Sequence, residues 1–396
     1  MNQNLPRIVL KPGRDRAIRQ GHPWLFSGAV ASVTGRPEPG DIVLAVTHDH
    51  EPLALGFLNT RCDIRFRKLS DRIDQPVDAS FWARRIRSAA ALRRRLVPPG
   101  TTAFRLINAE GDDMPGLIVD RYGEDLVMSI ATAGIEKHRP VVLDQLQRIF
   151  KPEKIYERSE GRARRREGLE DRIGPAMGKA PDAPLLITEN HLHFEVDVVV
   201  GQKTGFFLDQ RDNRERMGGL CRGAAVLNCF SYTGGFSVYC AHGGAESVVS
   251  VETSAWANDM AKRNLTRNGF SPEAHPVIQT DVFQYLRDTD DLFDLIILDP
   301  PAFAKSAKDV TRAARGYKDI NLQAIRRLRE GGLLATFSCS NYIEEALFEK
   351  IVLGAARDAA RTAQRIARLG AGPDHPVLLA HPEGLYLKGL LLRMES

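Results

Sequence analysis

From about His191 onward the chain repeats one unit, an apolar strand followed by a helix, and this repetition restricts the fold more than any other feature. Residues 225–229 read as a strand and 235–242 as a helix, and the pair recurs at 247–252 and 254–268. Strands at 276–279 and 294–298 alternate with helices at 283–287 and 318–329. Gly331-Gly332 reads as the stop of that last helix before a strand at 333–338. A long helix is expected over 343–365 and a closing strand over 385–393. Strands alternating with helices of this length build a mostly parallel, doubly wound α/β sheet.

The first part of the chain follows another pattern. Residues 7–10, 41–46, 53–59 and 63–68 read as short strands between turn residues such as Lys11-Pro12-Gly13-Arg14 and Pro39-Gly40, which suggests a small β-barrel. A helix is expected over 81–96, with a break at Pro98-Pro99-Gly100. Between 104 and about 150, strands and then a helix form a unit of mixed α and β character. The stretch 158–179, rich in Arg, Gly and Glu, reads either as a mobile linker or as a solvated hairpin tip. These shifts divide the chain at 1–75, 76–185 and 186–396.

Charge is unevenly spread over these parts. Residues 1–100 hold 17 basic and 9 acidic side chains, a balance of +8, whereas the other 296 hold 38 and 41, a balance of −3. An acidic partner is therefore expected at the N-terminal part. The excess of Arg over Lys, 42 to 13, suits bidentate contacts to phosphate unless it reflects only a GC-rich genome. A composition of 43% hydrophobic and 27% charged residues is that of a globular chain. No apolar run approaches 18 residues, and the start lacks a charged-then-apolar leader, so a cytoplasmic protein without a membrane segment is expected. The five cysteines (Cys62, Cys221, Cys229, Cys240 and Cys339) form no C-x-x-C pair, which argues against a disulfide framework or a zinc site, and no metal is expected.

In an open α/β sheet, ligands sit beyond the carboxyl ends of the strands, near the point where strand order reverses. Three such ends carry polar chemistry. Asn228, Phe230 and Tyr232 lead into Gly234-Gly235, which lets a ligand approach the backbone; without G-x-G-x-x-G, the pyrophosphate cradle of a dinucleotide enzyme is missing. Glu252 ends the next strand 18 residues after Gly234, where a carboxylate can accept both hydroxyls of a ribose. Asp281 follows the third strand and can accept from an adenine amino group, although it also stands where a helix N-cap is expected. A nucleoside without phosphates, joined to an amino acid, fits the set: S-adenosylmethionine (SAM).

The next strand ends in Asp299-Pro300-Pro301-Ala302-Phe303. Two prolines stiffen this turn, so that a carboxylate and backbone carbonyls can be fixed against a planar base while the aromatic ring stacks on it. Cys339 ends the strand after that, beyond the cofactor pocket; a small buried hydrophobe is the other reading of this residue. C5 of cytosine is too weak a nucleophile to attack a sulfonium methyl group directly. A thiolate adding at C6 turns the ring into an enamine whose C5 can attack, with Asp299 as an acid at N3. Methylation of an exocyclic amine needs no thiol.

The run from Lys203-Thr204-Gly205-Phe206-Phe207-Leu208-Asp209-Gln210-Arg211 through Asn228-Cys229-Phe230-Ser231-Tyr232-Thr233-Gly234-Gly235 and Asp299-Pro300-Pro301 resembles the bacterial large-subunit ribosomal RNA cytosine-C5 methyltransferases. So do Arg315-Gly316-Tyr317-Lys318-Asp319, Phe337-Ser338-Cys339-Ser340 and Pro382-Glu383-Gly384-Leu385-Tyr386-Leu387-Lys388-Gly389. His22-Pro23-Trp24-Leu25-Phe26-Ser27-Gly28 resembles that family's PUA domain, a small RNA-binding β-barrel. The resemblance implies an α/β protein of three parts: an N-terminal PUA barrel, a central α/β domain and a C-terminal Rossmann-like class I methyltransferase. It also implies Cys339 and Asp299 as catalytic residues and Asn228, Phe230, Tyr232, Gly234, Glu252 and Asp281 as lining the SAM pocket, with Gln210 a further cofactor contact. Many RNA cytosine-C5 enzymes carry a second cysteine just after the proline of the Asp299-type motif. Here Pro301-Ala302 stands there, which leaves the base that removes the C5 proton unassigned.

On the RNA side, Lys11, Arg14 and Arg16 near a turn can meet phosphates, with His22 interleaved, while Trp24 is read as part of the barrel core. Phe303, Lys305 and Arg315 follow the Asp299 motif and are candidates for the flanking nucleotides. Flipping a cytosine out of a stem costs a few kcal/mol, so protein-free or early-assembly ribosomal RNA is the expected partner. The sequence leaves open a homodimer. Two other readings remain: methylation of a base amine such as guanine N2, and a SAM-holding ribosome-assembly or RNA-binding factor.

Overall fold

In the computed structural model, which describes residues 5–304 and 306–396, the chain divides into two compact units. Val196–Leu208 and Pro373–Gly384 fold with the first unit, which otherwise ends at Leu185. Leu186–Glu195, Asp209–Gly372 and Leu385–Ser396 form the second. No helix among the described residues is long and apolar enough to cross a membrane.

The first unit opens with β1 (Arg7–Leu10), α1 (Arg16–Arg19), β2 (Trp24–Phe26), β3 (Val30–Val33), β4 (Ile42–Val46), β5 (Pro52–Leu58) and β6 (Ile64–Ser70). They form one sheet in the order β2-β6-β5-β4-β1-β3, antiparallel except for β1 against β4. Ile8, Leu10, Val43 and Ala45 belong to one buried cluster, while Val9, Leu44 and Val46 belong to another, as the two-residue period of a strand requires. β2 and β3 are too short to show that period in the sequence, which is why they went unexpected.

Next come α2 (Ala79–Leu96), β7 (Ala103–Asn108), β8 (Leu117–Tyr122), β9 (Asp125–Ile130), α3 (Ala133–Phe150), β10 (Ile155–Ser159), α4 (Arg162–Arg166) and β11 (Arg172–Met177). A second sheet, β11-β10-β9-β8-β7, shares a core with Trp82, Ile86 and Leu146 of the two long helices. The Arg-rich stretch is a hairpin, β10 against β11, and not a linker. Two of its charges turn inward while Arg162, Arg165, Arg166 and Arg172 stay exposed: buried Arg164 donates to Ile130 O (2.9 Å) and Glu136 Oε2 (2.8 Å), and buried Glu167 pairs with Arg67 (3.0 Å). Charged groups bury at tolerable cost only when paired in this way.

A two-stranded sheet, β12 (Leu185–Glu189) with β13 (Leu192–Val196), precedes the large α/β sheet. Its elements are α5 (Arg211–Gly218), β14 (Ala225–Cys229), α6 (Gly235–His242), β15 (Ser247–Glu252), α7 (Ala255–Arg267), β16 (Val277–Gln279), α8 (Val282–Asp288), β17 (Phe293–Leu298), α9 (Val310–Arg326), β18 (Leu328–Ser338), α10 (Glu345–Asp358), β19 (Thr362–Leu369) and β20 (Lys388–Glu395). The order is β16-β15-β14-β17-β18-β20-β19, parallel from β16 to β18, with β20 antiparallel to both its neighbours. Strand order reverses at β14, and the carboxyl ends of β14, β15 and β17 meet there.

Two expectations fail here. The helix predicted over 343–365 ends at Asp358; Ala360 turns the chain in the left-handed region (φ 54°) and β19 then pairs with β20. Gly331 and Gly332 do not stop a helix: α9 ends at Arg326, and both glycines lie inside β18, where its register with β17 shifts.

Candidate functional site

The turn after β14 is held in a conformation that ordinary residues avoid. Phe230 (φ 58°), Tyr232 (φ 47°) and Gly234 (φ 80°) all lie in the left-handed region. Such backbone persists only where its surroundings fix it, and it gathers at ligand sites. Three bonds do the fixing: Ser231 N to Val251 O (3.1 Å), Gly234 N to Ser231 O (2.9 Å) and Tyr232 N to Glu252 Oε2 (3.2 Å). Gly234 has a second reason to be glycine, since a Cβ there would meet Ala261 Cβ at 3.0 Å.

Glu252 is oriented by its own strand end, its Oε1 accepting from Thr253 N (2.8 Å) and Ser254 N (3.0 Å). Asn228 reaches Ser237 Oγ (2.8 Å), which in turn meets Ser250 Oγ (2.7 Å), tying β14, α6 and β15 together. Buried Asn228 Oδ1, Ser231 Oγ, Thr233 Oγ1 and Asn258 Oδ1 have no hydrogen-bond partner among the described residues. Orphaned buried polar atoms are rare, and four at one switch point suit a ligand carrying many donors and acceptors, as the ribose and amino-acid parts of SAM do. Asp281 takes the helix-cap role, its Oδ1 accepting from Gln284 N (3.0 Å) at the start of α8, with the side chain exposed.

Gln210, expected as a further cofactor contact, is tied to the Asp299 turn. It is buried, and its Nε2 donates to Asp299 Oδ2 (3.0 Å) while its Oε1 accepts from Asn213 Nδ2 (2.6 Å). Asn213 Nδ2 also donates to Gly370 O (2.9 Å), which fixes both amide orientations. A backbone carbonyl therefore sets, through two amides, which oxygen of Asp299 acts as an acceptor.

Cys339 follows β18, and its Sγ lies 4.0 Å from the carbonyl oxygen of Pro300, which follows β17. The parallel pairing of β17 with β18 brings Asp299 and Cys339 to the same sheet edge. Around them runs a hydroxyl network that sequence reading missed. Tyr317 OH meets Ser338 Oγ (3.0 Å) and Ser340 Oγ (3.2 Å), and Ser340 Oγ accepts from Ala304 N (3.3 Å), which ties the Asp299 loop to the Cys339 loop. Burial pushes the Tyr317 hydroxyl's pKa up, so it remains a neutral donor and acceptor. Phe303 rests on Tyr317 with ring centroids 4.6 Å apart and is half-buried, while Arg315 is exposed. Lys305 lies outside the described residues. Lys388 opens β20 and donates to Ser340 O (2.8 Å). Tyr317 and Lys388 stood in motifs already singled out, but nothing local in the sequence marked their partners.

In the first unit, Lys11, Arg14 and Arg16 are exposed. His22 is half-buried, its Nε2 3.4 Å from Glu383. Trp24 is not in the barrel core: it is half-buried, donates from Nε1 to Glu110 (2.8 Å) and has the Arg67 guanidinium over its ring. Among the described residues, no group of three or more His, Cys, Asp or Glu could hold a metal ion.

Residues 8–71 match the model of a PUA-like domain, and residues 173–393 match that of an S-adenosylmethionine-dependent methyltransferase. A protein of Shewanella denitrificans named ribosomal RNA large subunit methyltransferase I is 44% identical over 98% of this chain and 99% of its own length. The protein of that name from Alteromonas mediterranea is 42% identical over 97% and 98%. Among solved structures, a methyltransferase in complex with SAH superposes with a TM-score of 0.85 at 21% identity over 98% of this chain and 99% of its own, which supports the fold. The cofactor is SAM, and the chain belongs to the S-adenosylmethionine-dependent methyltransferases, in the family of the ribosomal RNA large subunit methyltransferase I proteins.

Proposed function

We propose that this protein methylates C5 of a cytosine in large-subunit ribosomal RNA, with Cys339 as a covalent nucleophile. The RNA follows from the names of the relatives. The chemistry rests on one observation: Cys339 Sγ stands 4.0 Å from Pro300 O, at the sheet edge it shares with Asp299. Methylation of an exocyclic amine has no use for a thiol there.

The Cys339 thiolate adds to C6, and the C5–C6 π pair moves onto the ring, where Asp299 as a carboxylic acid bonds N3. Gln210 donates to Asp299 Oδ2, so that oxygen serves as an acceptor. Bound SAM supplies an electrophilic methyl carbon, and C5 takes that methyl with loss of neutral SAH. A base then removes the C5 proton; the pair re-forms C5=C6 and expels the thiolate. Asn228, Phe230, Tyr232, Gly234, Glu252 and Asp281 are proposed to line the cofactor pocket, with Gln210 a further contact. Lys11, Arg14, Arg16, His22, Phe303, Lys305 and Arg315 are proposed to contact RNA, within a division into PUA, central and methyltransferase parts at 75 and 185.

The test is nucleoside mass spectrometry of protein-free large-subunit RNA incubated with the protein and SAM. 5-Methylcytidine is expected with the native chain and none with Cys339→Ala. Methylated guanosine, or full activity in Cys339→Ala, would overturn the proposal in favour of amine chemistry.

A further inference from the structure

We propose that Lys388 is the positioning residue that holds Cys339 as a thiolate, an inference that rests on the covalent reading of Cys339 given above. The sheet brings the two together. β18 lies between β17 and β20, so the residue that follows it is flanked from both sides. On the β17 side stands Pro300 O, 4.0 Å from Sγ. A carbonyl oxygen can accept from a thiol but can only repel a thiolate, so this neighbour alone favours the unreactive protonated form.

On the β20 side stands Lys388. The antiparallel register sets it opposite Ser338, and its Nζ donates to Ser340 O at 2.8 Å, so the ammonium is anchored to the residue after Cys339. The close fit depends on the next residue, because a Cβ on Gly389 would lie 2.5 Å from Phe337 Cδ1. Lys388 is half-buried. Burial lowers its pKa, while the nearby charge of Cys339 and then that of Glu345 oppose the fall. Among the described residues, other titratable groups at this edge include Asp299 after β17, Tyr317 on α9 and Glu345 on α10. Tyr317 stays neutral, Asp299 is the carboxylic acid of the proposed mechanism, and Glu345, whose sign opposes a thiolate, pairs with Arg368 Nε at 3.0 Å. Among the described residues, Lys388 is a cation anchored to the residue next to Cys339. The thiol's proton leaves to solvent, and the ammonium contributes its charge without taking that proton.

This can be read without RNA or SAM. The full chain is alkylated with iodoacetamide across a pH series, and modification of the Cys339 peptide is followed by mass spectrometry in the native chain, Lys388→Met and Lys388→Arg. With Lys388→Met the midpoint of the rate profile is expected to rise by about one unit, so that Cys339 reacts about tenfold more slowly at neutral pH. Lys388→Arg keeps the charge and should restore the native midpoint. An unchanged midpoint in Lys388→Met, or a midpoint in Lys388→Arg as high as in Lys388→Met, would overturn the role. If Lys388→Met fails to fold, the native midpoint decides: below the ordinary thiol value of about 8.5 supports the proposal, at or above it refutes it. Failure of the covalent reading itself would show separately, as methyl transfer that survives Cys339→Ala.

Discussion

Replacing Gln210 with Leu removes the amide that donates to Asp299 Oδ2 and leaves the rest of the relay in place. Asn213 loses one acceptor but keeps Gly370 O at 2.9 Å, so the structural penalty is bounded near the value of one neutral hydrogen bond, about 1 kcal/mol. The bond lost to Asp299 belongs to a half-buried ionisable group, and bonds to charged groups are worth about 1.5–3 kcal/mol. If that bond serves to aim Asp299 in the transition state, it converts to a loss of about 10- to 100-fold in rate, at 1.36 kcal/mol per decade. Single-turnover methyl transfer from labelled SAM to protein-free ribosomal RNA gives the rate, and urea unfolding gives the stability. A double-mutant cycle with Asp299→Asn separates the routes. Once Asp299 is altered, adding Gln210→Leu should slow the reaction little further. Undiminished activity in Gln210→Leu, or the same fold-loss on the Asp299→Asn background, would refute the claim that Gln210 acts through Asp299.

Three further outcomes follow from the geometry. Gly234→Val sets a β-branched side chain at φ 80° with its Cβ 3.0 Å from Ala261; the left-handed strain alone is about 1–2 kcal/mol, and SAM affinity by calorimetry should fall at least tenfold, so unaltered affinity would separate this turn from the cofactor. Burial and the Glu167 carboxylate push the Cys62 thiol up to about 11. Since a raised thiol pKa means less thiolate at any lower pH, Cys62 should be about a hundredfold less ionised at pH 8 than a thiol of the ordinary value 9.0, and rapid alkylation of its peptide at pH 8 would contradict this. Changing Lys11, Arg14 and Arg16 together to Gln should flatten the salt dependence of RNA binding by about 2 in the log–log slope, at about 0.7 per single-strand phosphate contact; an unchanged slope would remove these side chains from the interface.

Much of the second unit is legible because its information is local. The strands β14 and β15 and the helix α6 fall within the residues their apolar patterns indicate, and Asp281 before α8 takes the capping role open to such a residue. What the sequence hides is held by distant partners. Thr362–Leu369 contains good helix formers and follows an alanine-rich helix; it becomes a strand because β20 offers an edge. Gly331-Gly332 looks like a stop signal, yet it eases a register shift inside β18. Gln210 sits in a recognisable motif, but its partner Asp299 is 89 residues away, so only the fold reveals which group it serves. Trp24 looks like core from its composition alone, and its indole nitrogen instead finds Glu110, 86 residues on. The cofactor turn falls between these cases. Its glycines are visible in the sequence, whereas the left-handed Phe230 and Tyr232 and the orphaned hydroxyls beside them are not.

Covalent catalysis by Cys339 can be tested most directly with ribosomal RNA carrying 5-fluorocytosine. Fluorine at C5 cannot leave as a proton does, so after methyl transfer the elimination stalls and the bond from sulfur to C6 persists. Mass spectrometry of the digested complex should find a cytosine-derived, methylated adduct on the peptide containing Cys339, dependent on SAM and absent in Cys339→Ala. Normal methylation of unmodified RNA with no adduct on the fluorinated RNA, or an adduct on a different cysteine, would contradict it.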